Sequence, residues 1–151
     1  MNIFVSYSNA NKKIVYKIAD RLKVKHTIWI DRDYLKPGVK IDKEKANAIR
    51  NSNLFICFVS TEYCNSGACD EEFSLAKTLK KKMIPIMLEK EATNGFELTI
   101  VKLKRIDAFK PPNVFDPWSE DLYSKLLDRI LDLTQGIDAS VAKSLSNLVM
   151  E

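Results

Sequence analysis

The chain has 151 residues, of which 46% are hydrophobic and 29% charged, and carries a formal charge of +4. These are ordinary values for a globular domain, which excludes disorder as a description of the whole, and such a length supports a core without disulfides or metal. No apolar run approaches the ~20 residues of a membrane span, and a strand-like segment already begins at Ile3, so no targeting peptide is expected; the expectation is a cytoplasmic domain, and the spread of the lysines does not indicate a nucleic-acid footprint.

Two periods alternate along the chain. Ile3 to Tyr7 is a short β-branched and aromatic run closed by polar residues Ser8 to Asn11. From Lys12 the period becomes helical, with Ile14, Ile18 and Leu22 every fourth residue. Thr27 to Ile30 reads as a second strand, and Pro37-Gly38 punctuates the turn that follows. A helix through Ala46 and Ile49 ends near Asn51-Ser52-Asn53. Leu54 to Val59 is continuously apolar, as a parallel strand covered on both faces requires. Asn65, Ser66 and Gly67 offer caps for a helix containing Phe73, Ala76 and Leu79. Met83 to Leu88 is another buried strand, and its Pro85 predicts that part of it lies at an edge or bulge. Ile106 to Phe109 reads as a fifth short strand, and Trp118 to Thr134 as an amphipathic helix striped by Leu122, Leu126, Ile130 and Leu133. Val141, Leu145 and Leu148 predict a short further helix, so the chain divides into a domain over 1–135 and an extension over 136–151. Strands alternating with helices imply an α/β fold: one parallel sheet with helices on both faces. Ligands of such sheets sit outside the carboxyl ends of the strands, the rim carrying Tyr7 to Asn11, Asp31 to Gly38 and Ser60 to Glu72.

Several chemistries are excluded by what is missing. His26 is the single histidine and sits between a lysine-rich helix end and a strand, so Ser-His-Asp and Cys-His nucleophilic systems lack their base. Cys57, Cys64 and Cys69 read as thiols and form no paired metal-ligand motif. Gly38, Gly67, Gly95 and Gly136 are each isolated, so neither a P-loop nor a dinucleotide fingerprint can be written.

Several motifs in order nevertheless resemble a known family. Phe4-Val5-Ser6-Tyr7-Ser8, then Trp29-Ile30-Asp31-Arg32-Asp33 with Leu35-Lys36-Pro37-Gly38, then Asn51-Ser52, Ser60 with Tyr63, Cys69-x-x-Glu72 and Ile84-Pro85-Ile86 are together similar to a TIR (Toll/interleukin-1 receptor) domain over about residues 2–133. The long turn after the second strand is closer to bacterial-type members. The resemblance implies a flavodoxin-like fold with a five-stranded parallel sheet. It also implies two functions of different classes. One is an NAD+ glycohydrolase that gives nicotinamide and ADP-ribose or a cyclic ADP-ribose, activated by self-association in immune or cell-death signalling. The other is a non-enzymatic adaptor acting by homotypic TIR–TIR contact. A receiver domain is a weaker third reading, because Ser60 stands where a phosphoacceptor aspartate would end the third strand.

By that resemblance Glu72 is the catalytic carboxylate, NAD+ is a substrate rather than a retained cofactor, and no metal is needed. Ser6, Tyr7, Ser8, Asn9, Arg32, Asp33, Tyr34 and Ala68 fall at substrate-binding positions, Ala68 where many members place a tryptophan. Leu35, Lys36, Pro37 and Gly38 fall in the BB loop, through which other TIR domains would be met. The chemistry is consistent on its own terms: nicotinamide leaves its cationic bond as a neutral molecule, so the transition state needs no acid. A fixed carboxylate beside the oxocarbenium-like ribose supplies much of the stabilisation that it does need. The sequence leaves a second explanation open, since Asp70, Glu71 and Glu72 together are also an acidic helix start favoured by the helix dipole at ~0.3–1 kcal/mol.

Overall fold

The computed structural model describes residues 1–34, 41–89, 106–108 and 123–136. The chain divides into two units, Met1–Pro117 and Trp118–Glu151. The first holds a five-stranded sheet in the order β2-β1-β3-β4-β5, every described pairing parallel. Its strands are β1 (Asn2–Ser6), β2 (Thr27–Trp29), β3 (Leu54–Val59), β4 (Lys82–Met87) and β5 (Ile106–Asp107). Helices α1 (Lys12–Leu22), α2 (Ile41–Asn51), α3 (Thr61–Cys64) and α4 (Gly67–Thr78) fill the connections. This is the flavodoxin-like order, with its reversal between β1 and β3.

The core follows from the side-chain pattern. All six residues of β3 are buried, as its central place demands. Register sets Trp29 and Phe55 on either side of Phe4. Phe4 stacks on both, at 4.9 Å from Trp29 and 5.5 Å from Phe55, and Phe73 of α4 closes the row edge-on to Phe55. Alternation sends Ile3 and Val5 to the opposite face. On α1 the buried residues are Ile14, Val15, Ile18, Ala19 and Leu22, one continuous stripe.

Pro85 lies within β4 opposite Cys57 of β3, while β5 pairs β4 only at Ile86 and Met87. Position 85 therefore has a strand on one side alone among the described residues, which is where a missing N–H is tolerated. The short α3 was not expected from the sequence. Ser60 caps it, its Oγ accepting from Tyr63 N at 3.1 Å. The second unit contributes a helix over residues 123–136, with Leu126 and Ile130 buried, Leu133 half-buried and Thr134 buried beside it. Leu122 and the predicted helix after Gly136 lie outside the described residues.

Candidate functional site

The site is assembled at the carboxyl ends of β1 and β2, where α2 and α4 run side by side. Ser66 caps α4, accepting from Cys69 N at 3.3 Å, and so fixes where the helix begins. One residue of the first turns then looks inward: Cys69 is buried, and its thiol meets the Tyr7 carbonyl oxygen at 3.4 Å. That contact fastens α4 to the end of β1 and carries Glu72, three positions on, to the same side. Burial pushes the Cys69 thiol up to about 11, with its Ser66 contact opposing, so it is a weak donor rather than a nucleophile.

Glu72 has a side chain only 11% exposed. Among the described residues its salt-bridge partner is Lys45 of α2, whose Nζ lies 3.9 Å from Glu72 Oε1 and 3.8 Å from Asp31 Oδ2. Asp31 follows β2 and accepts a hydrogen bond from the Tyr7 hydroxyl at 2.6 Å. The Tyr7 hydroxyl is also 3.2 Å from Tyr16 Oη, and the two rings meet edge-on at 5.7 Å. The result is a line of contacts, Tyr16, Tyr7, Asp31, Lys45 and Glu72, drawn from α1, the residue after β1, the turn after β2, α2 and α4. Burial pushes the Glu72 carboxyl up to about 7; Lys45 opposes the rise, and Asp31 and Glu71 add to it. Burial and the bond to Asp31 hold the Tyr7 phenol neutral, far above its usual range. A carboxyl poised near neutrality at a sheet's carboxyl edge is the kind of group active sites use.

The sequence-predicted residues separate under this geometry. Glu72 and Tyr7 belong to the cluster. Ser6 does not: it is wholly buried, and its hydroxyl shares a 2.8 Å hydrogen bond with Tyr63 Oη, which leaves it no surface for a substrate. Ser8 caps the turn Asn9–Asn11, its Oγ accepting from Ala10 N at 3.4 Å, and Asn9 is exposed beside it. Ala68 is exposed in the first turn of α4. Arg32 turns away along α1, with Nη2 2.6 Å from Asp20 Oδ1 and its guanidinium 4.4 Å over the Tyr16 ring. Asp33 and Tyr34 stand in the turn Asp31–Tyr34, with side chains outside the described residues, as Leu35, Lys36, Pro37 and Gly38 are altogether. At the reversal between β1 and β3 the two loops are joined, Ser60 Oγ donating to Asn11 Oδ1 at 2.7 Å.

Lys45 and the pairing role of Asp31 escaped the sequence reading. On α2 a lysine among Lys43, Glu44 and Asn47 reads as a solvated face, and only the packing of α2 beside α4 brings it to Glu72.

A family model described as "TIR domain" matches residues 3–127. This chain belongs to the TIR-domain family. Among solved structures, the TIR domain of the Toll-related receptor TRR-2 from Hydra magnipapillata is similar at 16% identity and a TM-score of 0.66, covering 91% of this chain and 98% of that one. The TIR domains of the activated Roq1 resistosome, which recognises the pathogen effector XopQ, match at 18% identity and a TM-score of 0.62 over 85% of this chain and 98% of that one. A Clostridium botulinum CMP N-glycosidase, BcmB, matches at 20% identity and 0.59 over 87% of this chain and 98% of that one. None of the curated protein sequences matches the chain. The TIR family thus accounts for the sheet order and for the course of the chain through β4.

Proposed function

We propose that this TIR domain is an NAD+ glycohydrolase in which Glu72 is the catalytic carboxylate. One observation carries the reading: a nearly buried carboxyl stands at the carboxyl edge of a parallel sheet, pushed up to about 7 and held beside an ammonium. In the reaction the bond between ribose C1′ and the nicotinamide nitrogen breaks, and the electron pair leaves with neutral nicotinamide. Glu72 stabilises the cationic ribose, and water adds to C1′ with loss of a proton, giving ADP-ribose. The likeness to a CMP N-glycosidase supports the reading, since that protein's name puts N-glycoside cleavage among reactions this fold accommodates. Activity depends on self-association in this proposal, as the TIR domains of an assembled resistosome suggest.

The test incubates the purified domain with NAD+, free and clustered on a multivalent support, beside Glu72→Gln. Nicotinamide release by the parent and none by the folded variant supports the enzyme. No release even when clustered leaves the homotypic scaffold as the function.

A further inference from the structure

Lys45 is the single cation that the described residues bring within salt-bridge distance of Glu72, and it does not belong to Glu72 alone. Its ammonium stands between two carboxylates, 3.9 Å from Glu72 and 3.8 Å from Asp31, with only 18% of the side chain exposed. Asp31 is itself fixed by the Tyr7 hydroxyl at 2.6 Å. An ammonium so placed is not a flexible surface charge: helix α2, the turn after β2 and the end of β1 all determine its position. We propose that Lys45 is a positioning residue, anchored on Asp31, that holds the Glu72 carboxylate in place and in its ionised form near neutral pH.

Five titratable groups surround Glu72 among the described residues. Lys45 comes from α2 and Asp31 from the turn after β2; Glu71 and the Cys69 thiol lie on Glu72's own helix, and the buried Tyr63 phenol on α3. Among these Lys45 alone is cationic. Burial, Asp31 and Glu71 all favour the protonated acid, and Lys45 opposes them. Attraction between unit charges about 4 Å apart is strong in a site largely closed to water. Without Lys45 the protonated form gains at neutral pH, and a protonated acid cannot stabilise a ribose cation. Asp31 has two effects with the same sign. It adds negative charge near Glu72, and it draws Lys45 away from an exclusive pairing with Glu72.

The inference rests on the proposed role of Glu72 for its meaning in catalysis, but not for its test. The side-chain carboxyl carbon of Glu72, assigned by its loss in Glu72→Gln, is titrated by carbon-13 NMR in the isolated domain without NAD+. Lys45→Met is expected to move the midpoint upward by about one pH unit, Lys45→Arg to restore it, and Asp31→Asn to move it downward. If the domain releases nicotinamide, the rising limb of kcat/KM moves with the same midpoint, so Lys45→Met loses about fivefold at pH 7 and recovers toward its plateau at pH 9. A merely structural lysine would lower activity equally at all pH values and leave the midpoint where it is. Lys45→Gln replaces the methionine variant if that one does not fold. A midpoint unmoved in the folded lysine variant overturns the inference whatever the activity. A midpoint that follows the lysine in a domain that never releases nicotinamide upholds it and overturns the glycohydrolase reading instead.

Discussion

Lys81 Nζ donates to the Arg50 carbonyl oxygen at 2.6 Å and to the Ser52 carbonyl oxygen at 3.0 Å, so the residue that follows one helix closes the end of another. Arg50 lies in the last turn of α2, whose final carbonyls have no partner within the helix. Lys81→Met keeps the aliphatic stem and removes the ammonium. We expect a loss of about 1 kcal/mol in urea denaturation, with the rate of any NAD+ turnover at saturation unchanged. A stability equal to the parent's would mean that water satisfies those carbonyls equally well.

The end of α4, just before Lys81, carries backbone strain. Lys80 has a φ of 55°, in the left-handed region, and the bonds around it are those of a Schellman ending: Lys80 N to Lys77 O at 3.0 Å and Lys81 N to Ala76 O at 3.0 Å. Glycine is the usual residue there because it has no Cβ to clash. Lys80→Gly is expected to stabilise the domain by about 0.5–1 kcal/mol, and Lys80→Ala, which keeps the Cβ, to give no such gain. Equal midpoints for the two variants would assign the effect to lysine's charge instead.

Ser6 and Tyr63 make a different demand on the core. Both are buried, and their hydroxyls share a 2.8 Å bond that ties the end of β1 to α3. Ser6→Ala removes one side of that bond from a dry environment, at a cost of about 1–2 kcal/mol. Tyr63→Phe in the same chain should cost less than the two single changes added together, with a coupling of about 1 kcal/mol. Additive effects in the double-mutant cycle would show that the two hydroxyls do not depend on each other.

How much of this was legible in the sequence depends on distance along the chain. Stripes such as Ile14, Ile18 and Leu22 and the unbroken run Leu54 to Val59 give helix and central strand from their own periods, so the five strands were readable in order. Glu72 was singled out through the motif Cys69-x-x-Glu72, whose residues lie within one turn of a single helix. Ser6 was misplaced because a serine at a strand end looks the same whether its hydroxyl meets solvent or a tyrosine 57 residues away. Lys45 was missed for the same reason: Glu72 and Asp31 reach it from other elements, and no spacing within α2 encodes them. The helix α3 was missed through its length, although Ser60 before Thr61-Glu62-Tyr63 carries an N-cap and an acidic first turn.

Glu72 also makes a prediction about stability that needs no substrate. Burial pushes its carboxyl up to about 7 in the folded domain, against 4.5 for the ordinary group. An acid raised on folding holds its proton more tightly in the folded state. Its contribution to stability is therefore complete below about pH 4.5 and is lost as the pH rises through about 7, an effect on the order of 3 kcal/mol. Glutamine has the shape of the protonated acid and never ionises. Glu72→Gln should therefore unfold at a higher urea concentration than the parent at pH 8, by about 1–3 kcal/mol, while the two unfold together near pH 4.5. Such a gain on removing the acid is what a site that sacrifices stability for chemistry predicts. A variant less stable than the parent at pH 8 would mean that the ionised carboxylate is favourably housed, its pairing with Lys45 outweighing burial, and that Glu72 belongs to the architecture of the α2–α4 contact rather than to a poised site.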